Sequence, residues 1–348
     1  MVAQSMKPRT LLSIHRWIAL VFAPLLAMQA VTGGALLFRD DLSAVMEPAR
    51  ISAPGQIVPL SVLAASAENA QPKRRIVRIF LPQHDDGTAF AQLDGYDGAV
   101  GHALLDPGNG KLLATGSIWH FPLETALQLH FRLNGGNFGL LLVCLYGFAL
   151  MLIAATGLWH WWPGRKRMLQ ALKIPARMPQ RLKLRAWHRS SGALLSGVLL
   201  VTALTGILTG YPSLVFGPSP ASATPIPMIP ADIDAAYALA KAEFPASRPR
   251  DVRFRQDGTL AINFFAPRGG AWAVDTVIVS NVDQAIVSVT PYEANNALWT
   301  YTLPIHTGSI AGVAGRWLML AAAAGLLFLT ISGPLAWWRA RKKGKTAQ

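Results

Sequence analysis

Four stretches of the 348-residue chain are almost wholly apolar: residues 17–38, 138–162, 194–211 and 310–338. A helix needs roughly 20 apolar residues to cross a bilayer, so each stretch is predicted to span one. The first reads IALVFAPLLAMQAVTGGALLF. Pro24 within it predicts a kink rather than an end, because neighbouring helices can satisfy the freed carbonyl. This apolar region is too long for the core of a signal peptide, and no A-x-A cleavage site follows Phe38, which predicts a retained anchor. Trp159, Trp161, Trp162, Trp337 and Trp338 stand near span ends, where aromatic belts are expected.

The stretches between spans are patterned differently. In 212–305, Ile233 to Phe244 (IDAAYALAKAEF) has helical spacing of apolar residues. Alternating runs follow, VRFRQDGTLAINFF and WAVDTVIVSN, with turns at Asp257-Gly258 and Gly269-Gly270. In 39–129 the scheme repeats: a helical stretch near Leu60 to Ala67, then IVRIFLP, TAFAQLDG and AVGHALLDP. Each loop is thus predicted to be a small α+β module.

The chain reads as two copies of span–loop–span. His15-Arg16 opens the first span and Thr32-Gly33 lies 17 positions on; His188-Arg189 opens the third and Thr205-Gly206 lies 17 on. Gly157 follows His130 by 27 positions, as Gly333 follows His306, and Trp161 and Trp337 keep the register. His160 has no mate, since Ala336 takes its place. The expected fold class is an α-helical membrane protein of four transmembrane helices. Its expected parts are 1–38 (N-terminus and first span), 39–129 (first module), 130–162 (second span), 163–186 (basic loop), 187–211 (third span), 212–305 (second module), 306–338 (fourth span) and 339–348 (basic tail).

Charge orients this plan. Only 14% of residues are charged, against about 25% in a soluble domain, which excludes an ordinary cytosolic enzyme. The net charge of +14 would suit nucleic acid, but its distribution does not. All 18 acidic residues fall between Asp40 and Glu124 or between Asp232 and Glu293, while the basic excess lies before residue 17, in 163–189 and after Trp338. Basic loops mark the cytoplasmic side. Both termini are therefore expected there and both modules outside, in the periplasm of a bacterium. The lone cysteine, Cys144, excludes a disulfide framework and cysteine-ligated metal sites.

Five of the eight histidines flank spans: His15, His130, His160, His188 and His306. Measured along one helix at 1.5 Å per residue, His130 and His160 stand about 45 Å apart and belong to opposite membrane faces. His15 pairs with His188 on the inner face, and His130 with His306 on the outer. Two histidines are too few for structural zinc, which takes four ligands, whereas haem brings its own four ring nitrogens and leaves two axial positions. Two histidine-ligated haems are expected, and without a C-x-x-C-H motif they are b-type. Arg16 and Arg189, next to the inner pair, and Arg316, inside the fourth span, are candidate partners of haem propionates. Gly33, Gly34, Gly192, Gly197, Gly206, Gly312 and Gly315 offer surfaces for close approach of a porphyrin or a helix. Trp119, His120, Phe121, Tyr211, Trp299 and Tyr301 lie near outer span ends as a conceivable docking floor.

The run HRW…TG, LHF…TGLWHWWP, WHRSSG…TG and LPIHTG…SGPLAWW resembles the PepSY-associated transmembrane family, the iron-regulated membrane proteins of bacteria. The loop modules resemble PepSY domains, most clearly 231–290. The branch of siderophore reductases implies two b haems, electron transfer from the cytoplasmic side to a ferric siderophore in the periplasm, and an inner-membrane location. His15, His188, His130 and His306 fall on its histidine positions, with His160 as an alternative or accessory ligand. No G-x-G-x-x-G opens a nucleotide-binding unit, so the electron donor is expected to be another molecule, cytoplasmic or in the membrane. The rival expectations are a non-enzymatic PepSY membrane protein that binds or restrains a periplasmic partner, and a siderophore or metal transport component.

Overall fold

The apolar runs fold as helices that extend beyond them. The computed structural model describes residues 8–46, 52–95, 100–215, 230–255 and 257–345. In chain order it contains α1 (Pro8–Leu36), α2 (Arg39–Met46), α3 (Leu60–Ala70), β1 (Arg74–Phe80), β2 (Ala89–Gly95), β3 (Val100–Leu105), β4 (Leu112–Ser117), α4 (Pro122–Arg132), α5 (Gly136–Trp161) and α6 (Met168–Leu172). It continues with α7 (Gln180–Val215), α8 (Pro230–Glu243), β5 (Pro249–Phe254), β6 (Thr259–Phe265), β7 (Val274–Ser280), β8 (Ala285–Thr290), α9 (Leu298–His306) and α10 (Gly312–Lys345). The helices α1, α5, α7 and α10 supply four segments long and apolar enough to cross a membrane. Pro24 lies inside α1 as expected.

Those four helices form one of two compact units. Neighbours pack in a ring, α1 on α5, α5 on α7, α7 on α10 and α10 on α1. Their shared core includes Leu26, Ala30, Tyr146, Leu150, Leu199, Ala203 and Leu326. Apolar side chains on the opposite faces stay exposed, Val21 at 66% and Leu194 at 70%, which suits lipid rather than water as solvent. α7 begins at Gln180, well before the apolar run at 194, because its basic first turns are good helix formers that hydropathy alone does not register.

The helix expected through 130–162 is two helices. Leu133, Asn134 and Gly136 have positive φ of 53°, 51° and 57°, a conformation open to Gly and Asn at low cost. The chain therefore ends α4 at Arg132 and restarts as α5. α9 and α10 are separated in the same way, with Gly308 and Gly312 at φ 76° and 58°. His130 and His306 thus close short helices that precede the spans, and the measure of His130 to His160 along one helix does not apply.

The second unit holds the sheet. The two expected modules are one continuous antiparallel sheet, ordered β4-β3-β2-β1-β5-β6-β7-β8. β1 and β5 would each be the bare edge of a four-stranded sheet, and an unpaired edge invites pairing. They join each other, with Ile79 opposite Val252, both fully buried. α3 and α8 cover one face, and Leu60, Leu63, Leu93, Leu105, Leu260, Ile262 and Phe264 fill the core beneath them. On the other face Asp251, 1% exposed, accepts from Arg78 Nε at 3.0 Å, Arg253 Nε at 3.1 Å and Asn263 Nδ2 at 3.0 Å. Burial alone would raise the Asp251 pKa, but the charges of Arg78, Arg253 and Arg250 outweigh it and hold the carboxyl below its usual range. Burial pushes the Arg78 guanidinium down to about 10 against the pull of Asp251.

Candidate functional site

Eighteen residues make five turns of α-helix and rise about 27 Å, close to the ~30 Å of a bilayer's hydrocarbon. Gly33 follows His15 by 18 positions on α1, and Gly206 follows His188 by 18 on α7. Each of these helices therefore carries a histidine and a glycine on one face, at opposite ends. α5 and α10 add Gly157 and Gly333.

Each histidine leans on one of these glycines across a helix pair. A Cβ added to Gly33 would fall 2.7 Å from Cε1 of His130, and one on Gly206 2.9 Å from Cε1 of His306. On Gly157 and Gly333 it would fall 3.0 Å from Cε1 of His15 and of His188. The ring fills the space where any larger residue would place its first carbon.

The hydroxyl just before each glycine faces the same ring. Nδ1 lies 3.1 Å from Thr32 Oγ1 in His130, 3.3 Å from Thr156 Oγ1 in His15, 2.9 Å from Ser332 Oγ in His188 and 3.4 Å from Thr205 Oγ1 in His306. The carbonyl oxygens of Ile153 and Thr202 lie 2.9 Å from Nδ1 of His15 and His306. A carbonyl only accepts, so Nδ1 of both rings carries the hydrogen. Thr32 donates its own hydrogen to Met28 O at 2.8 Å, and its oxygen accepts from His130 Nδ1. Among the described residues every hydrogen bond of the four rings runs through Nδ1, which leaves Nε2 without a partner there. An imidazole tied at Nδ1 with a lone pair on Nε2 is arranged as a metal ligand, with the tie setting its tautomer.

The rings of His130 and His306 have centroids 6.1 Å apart at 60°. Two metal–nitrogen bonds of about 2 Å each, plus the half-width of each ring, account for such a separation. His15 on α1 is tied from α5, and His188 on α7 from α10. Among the described residues no three His, Cys, Asp or Glu side chains converge, so each pair offers an ion two protein ligands. Bare Nε2 atoms in pairs, glycine seats and an apolar core fit a flat ligand that brings its own equatorial nitrogens.

The remaining predicted residues are scattered. His160 is exposed at the end of α5. Arg16 packs over the Trp17 ring at 5.7 Å, with Nε buried and without a hydrogen-bond partner. Arg189 is exposed and donates to Ala171 O at 3.4 Å, and Arg316 sits over the Phe38 ring at 4.8 Å. Gly34 and Gly192 meet Leu320 and Leu329, plain helix packing. Phe121 does not belong to an exposed floor: it is 5% exposed, with its ring 5.2 Å from Phe90 and 5.8 Å from His102. His102 is itself held below its usual pKa, chiefly by burial.

In the sequence Thr32, Thr205, Gly157 and Gly333 serve only as register marks, and Thr156 and Ser332 only as letters of the TGLWHWWP and SGPLAWW runs; none of the six is placed there against a histidine ring. The signal was the hydroxyl–glycine dipeptide recurring at Thr32-Gly33, Thr156-Gly157, Thr205-Gly206 and Ser332-Gly333. Gln29 was missed as well, and it donates from Nε2 to the His130 carbonyl at 2.8 Å and to the Tyr146 hydroxyl.

A family model described as the PepSY-associated TM region matches residues 12–340. No curated protein matches the chain by sequence.

Proposed function

The chain belongs to the PepSY-associated TM family, and from that premise we propose that it is an inner-membrane reductase holding two b-type haems, one per histidine pair, that delivers electrons to a ferric siderophore in the periplasm. The observation that carries the reading is the fourfold recurrence of a histidine tied at Nδ1, bare at Nε2 and seated on a glycine. Haem, when bound, supplies reversible one-electron exchange. His15 and His188 would hold one and His130 and His306 the other.

The chain's own residues perform three tasks. Thr32, Thr156, Thr205 and Ser332 hold the ring tautomers through Nδ1. Gly33, Gly157, Gly206 and Gly333 let the rings enter between helices. Leu26, Leu150, Leu199 and Leu326 keep water from the middle of the bundle. With two histidines given over to each haem, the chemistry the group would supply is electron exchange rather than oxygen binding. A siderophore's hard oxygen donors grip Fe(III) more strongly than Fe(II), so one-electron reduction frees the metal. The basic segments support a cytoplasmic position for the His15 and His188 end, where the electron donor would act.

The test is a reduced-minus-oxidised spectrum of protein expressed with ample haem, followed by ferric siderophore. The expected result is a b-type spectrum that the siderophore reoxidises, with Fe(II) appearing. Colourless protein would overturn the reading.

A further inference from the structure

On α7, next in sequence to His188, the bundle unit has a cavity of about 480 Å³, within the ordinary size range of small-molecule sites. One wall is the face of α7 that carries Lys183, Trp187, Ser190 and Leu194; the other is the connector that follows α6, including Ile174 and Pro175. The spacing 183, 187, 190, 194 is one helical stripe, and His188 lies on the same turn. The hydroxyl of Ser190 is the telling group. The residue is 7% exposed, it lines the cavity, and its Oγ is buried with no hydrogen-bond partner among the described residues. An orphaned buried hydroxyl costs stability unless a ligand completes it.

We propose that this cavity binds the head group of a membrane quinol, the electron donor that the reductase reading leaves open; the inference rests on that reading. A quinol is a flat ring with polar oxygens and an apolar tail. Trp187 presents an aromatic wall to the ring. Ser190 Oγ and Lys183 Nζ are side-chain hydrogen-bonding groups for its oxygens, while the Ser191 hydroxyl, also in the lining, already donates to Trp187 O at 2.7 Å. The tail leaves over Leu194, which is 70% exposed on the bilayer-facing side of α7. A lining with one ammonium, hydroxyls and mostly apolar walls suits a neutral oxygenated ring better than a phosphate, which calls for clustered cations. The balance is QH2 → Q + 2 H⁺ + 2 e⁻. Each electron converts one ferric ion to ferrous, so one quinol serves two chelates and its two protons leave on the cytoplasmic side.

The experiment uses the full chain in nanodiscs with a decyl-tailed azidoquinone as photolabel and the matching decyl quinol as donor. Labelling is expected within residues 172–194. It should fall about tenfold in Lys183→Gln and vanish in Ser190→Phe, whose ring fills the cavity. Ser190→Ala should weaken labelling several-fold without lowering the melting temperature, which a merely structural hydroxyl would not do. The quinol should yield two Fe(II) per molecule, read with a ferrous chelator. If dithionite-reduced protein reduces the chelate but the quinol does not, or if label falls outside the cavity, the donor assignment is overturned and the reductase stands. If dithionite-reduced protein also fails, the reductase reading falls and takes the donor assignment with it.

Discussion

Shifting the first half of the chain by 173 positions lays His15 on His188 and Thr32-Gly33 on Thr205-Gly206, and a shift of 176 lays His130 on His306 and Thr156-Gly157 on Ser332-Gly333. Around the histidines the halves are near copies, in side chain and in hydrogen bond. Where the halves meet they diverge. β1 and β5 bring Arg78 directly opposite its counterpart Arg253, a like-charge pair that destabilises a sheet. The second half has Asp251 where the first has Ile76, and this one carboxylate serves both arginines. A second divergence lies in the bundle. Gln29 and Tyr146 are bonded to each other, whereas Thr202 and Ala322 stand at their counterpart positions. Duplication thus builds the paired sites, and single departures from it repair or individualise them.

The largest effect should come from the ligands themselves. His130→Ala and His306→Ala should each bring haem content from two per chain to one, and the same one, as measured by pyridine haemochromogen. His15→Ala and His188→Ala should remove the other. A variant that loses both haems, or neither, breaks the equivalence of the halves.

Next is the junction. Asp251→Asn takes the buried counter-charge from half-buried Arg78 and exposed Arg253 and should cost about 1–3 kcal/mol, seen as faster amide exchange in β1 and β5. The folded-state pKa of Asp251 is depressed, below an unfolded value of about 3.9. Its stabilisation is therefore complete above about pH 4 and is lost as pH falls further. Wild-type sheet should open on acidification below that point, and the Asn variant should lose this dependence.

Glycine seats come third. Gly33→Ala and Gly206→Ala place a carbon inside contact distance of a ring, and overpacking costs about 1–3 kcal/mol. Equal losses of haem affinity from the pair would support equivalence; loss at one seat alone would confine it to the histidines. The smallest effect is Tyr146→Phe, which removes a partner of Gln29 and should cost about 1 kcal/mol while leaving the His15–His188 spectrum unchanged.

Much of this was legible because it is local. Spans, basic flanks and the repeated His and Thr-Gly positions are written in contiguous residues. The split of α4 from α5 was also written, in Asn134-Gly135-Gly136, but the apolar run just beyond it masked the turn. β4 was missed because LLATGS is short, small and largely exposed, so no alternation marks it. The joining of the modules could not be read, since the β1–β5 register links residues 171 to 175 positions apart and no local pattern encodes it. The hydroxyls at Nδ1 escaped for a similar reason: each meets its histidine from a different helix.

The seam between β1 and β5 has an implication for how the halves behave apart. Released from its sister, the first half would offer a naked strand to another copy of itself, and two Arg78 side chains would confront each other with no acid between them. The second half would carry two Asp251 to the same encounter. A severed chain should therefore self-associate through its C-terminal piece far more readily than through its N-terminal one, an asymmetry that light scattering on the two fragments would reveal.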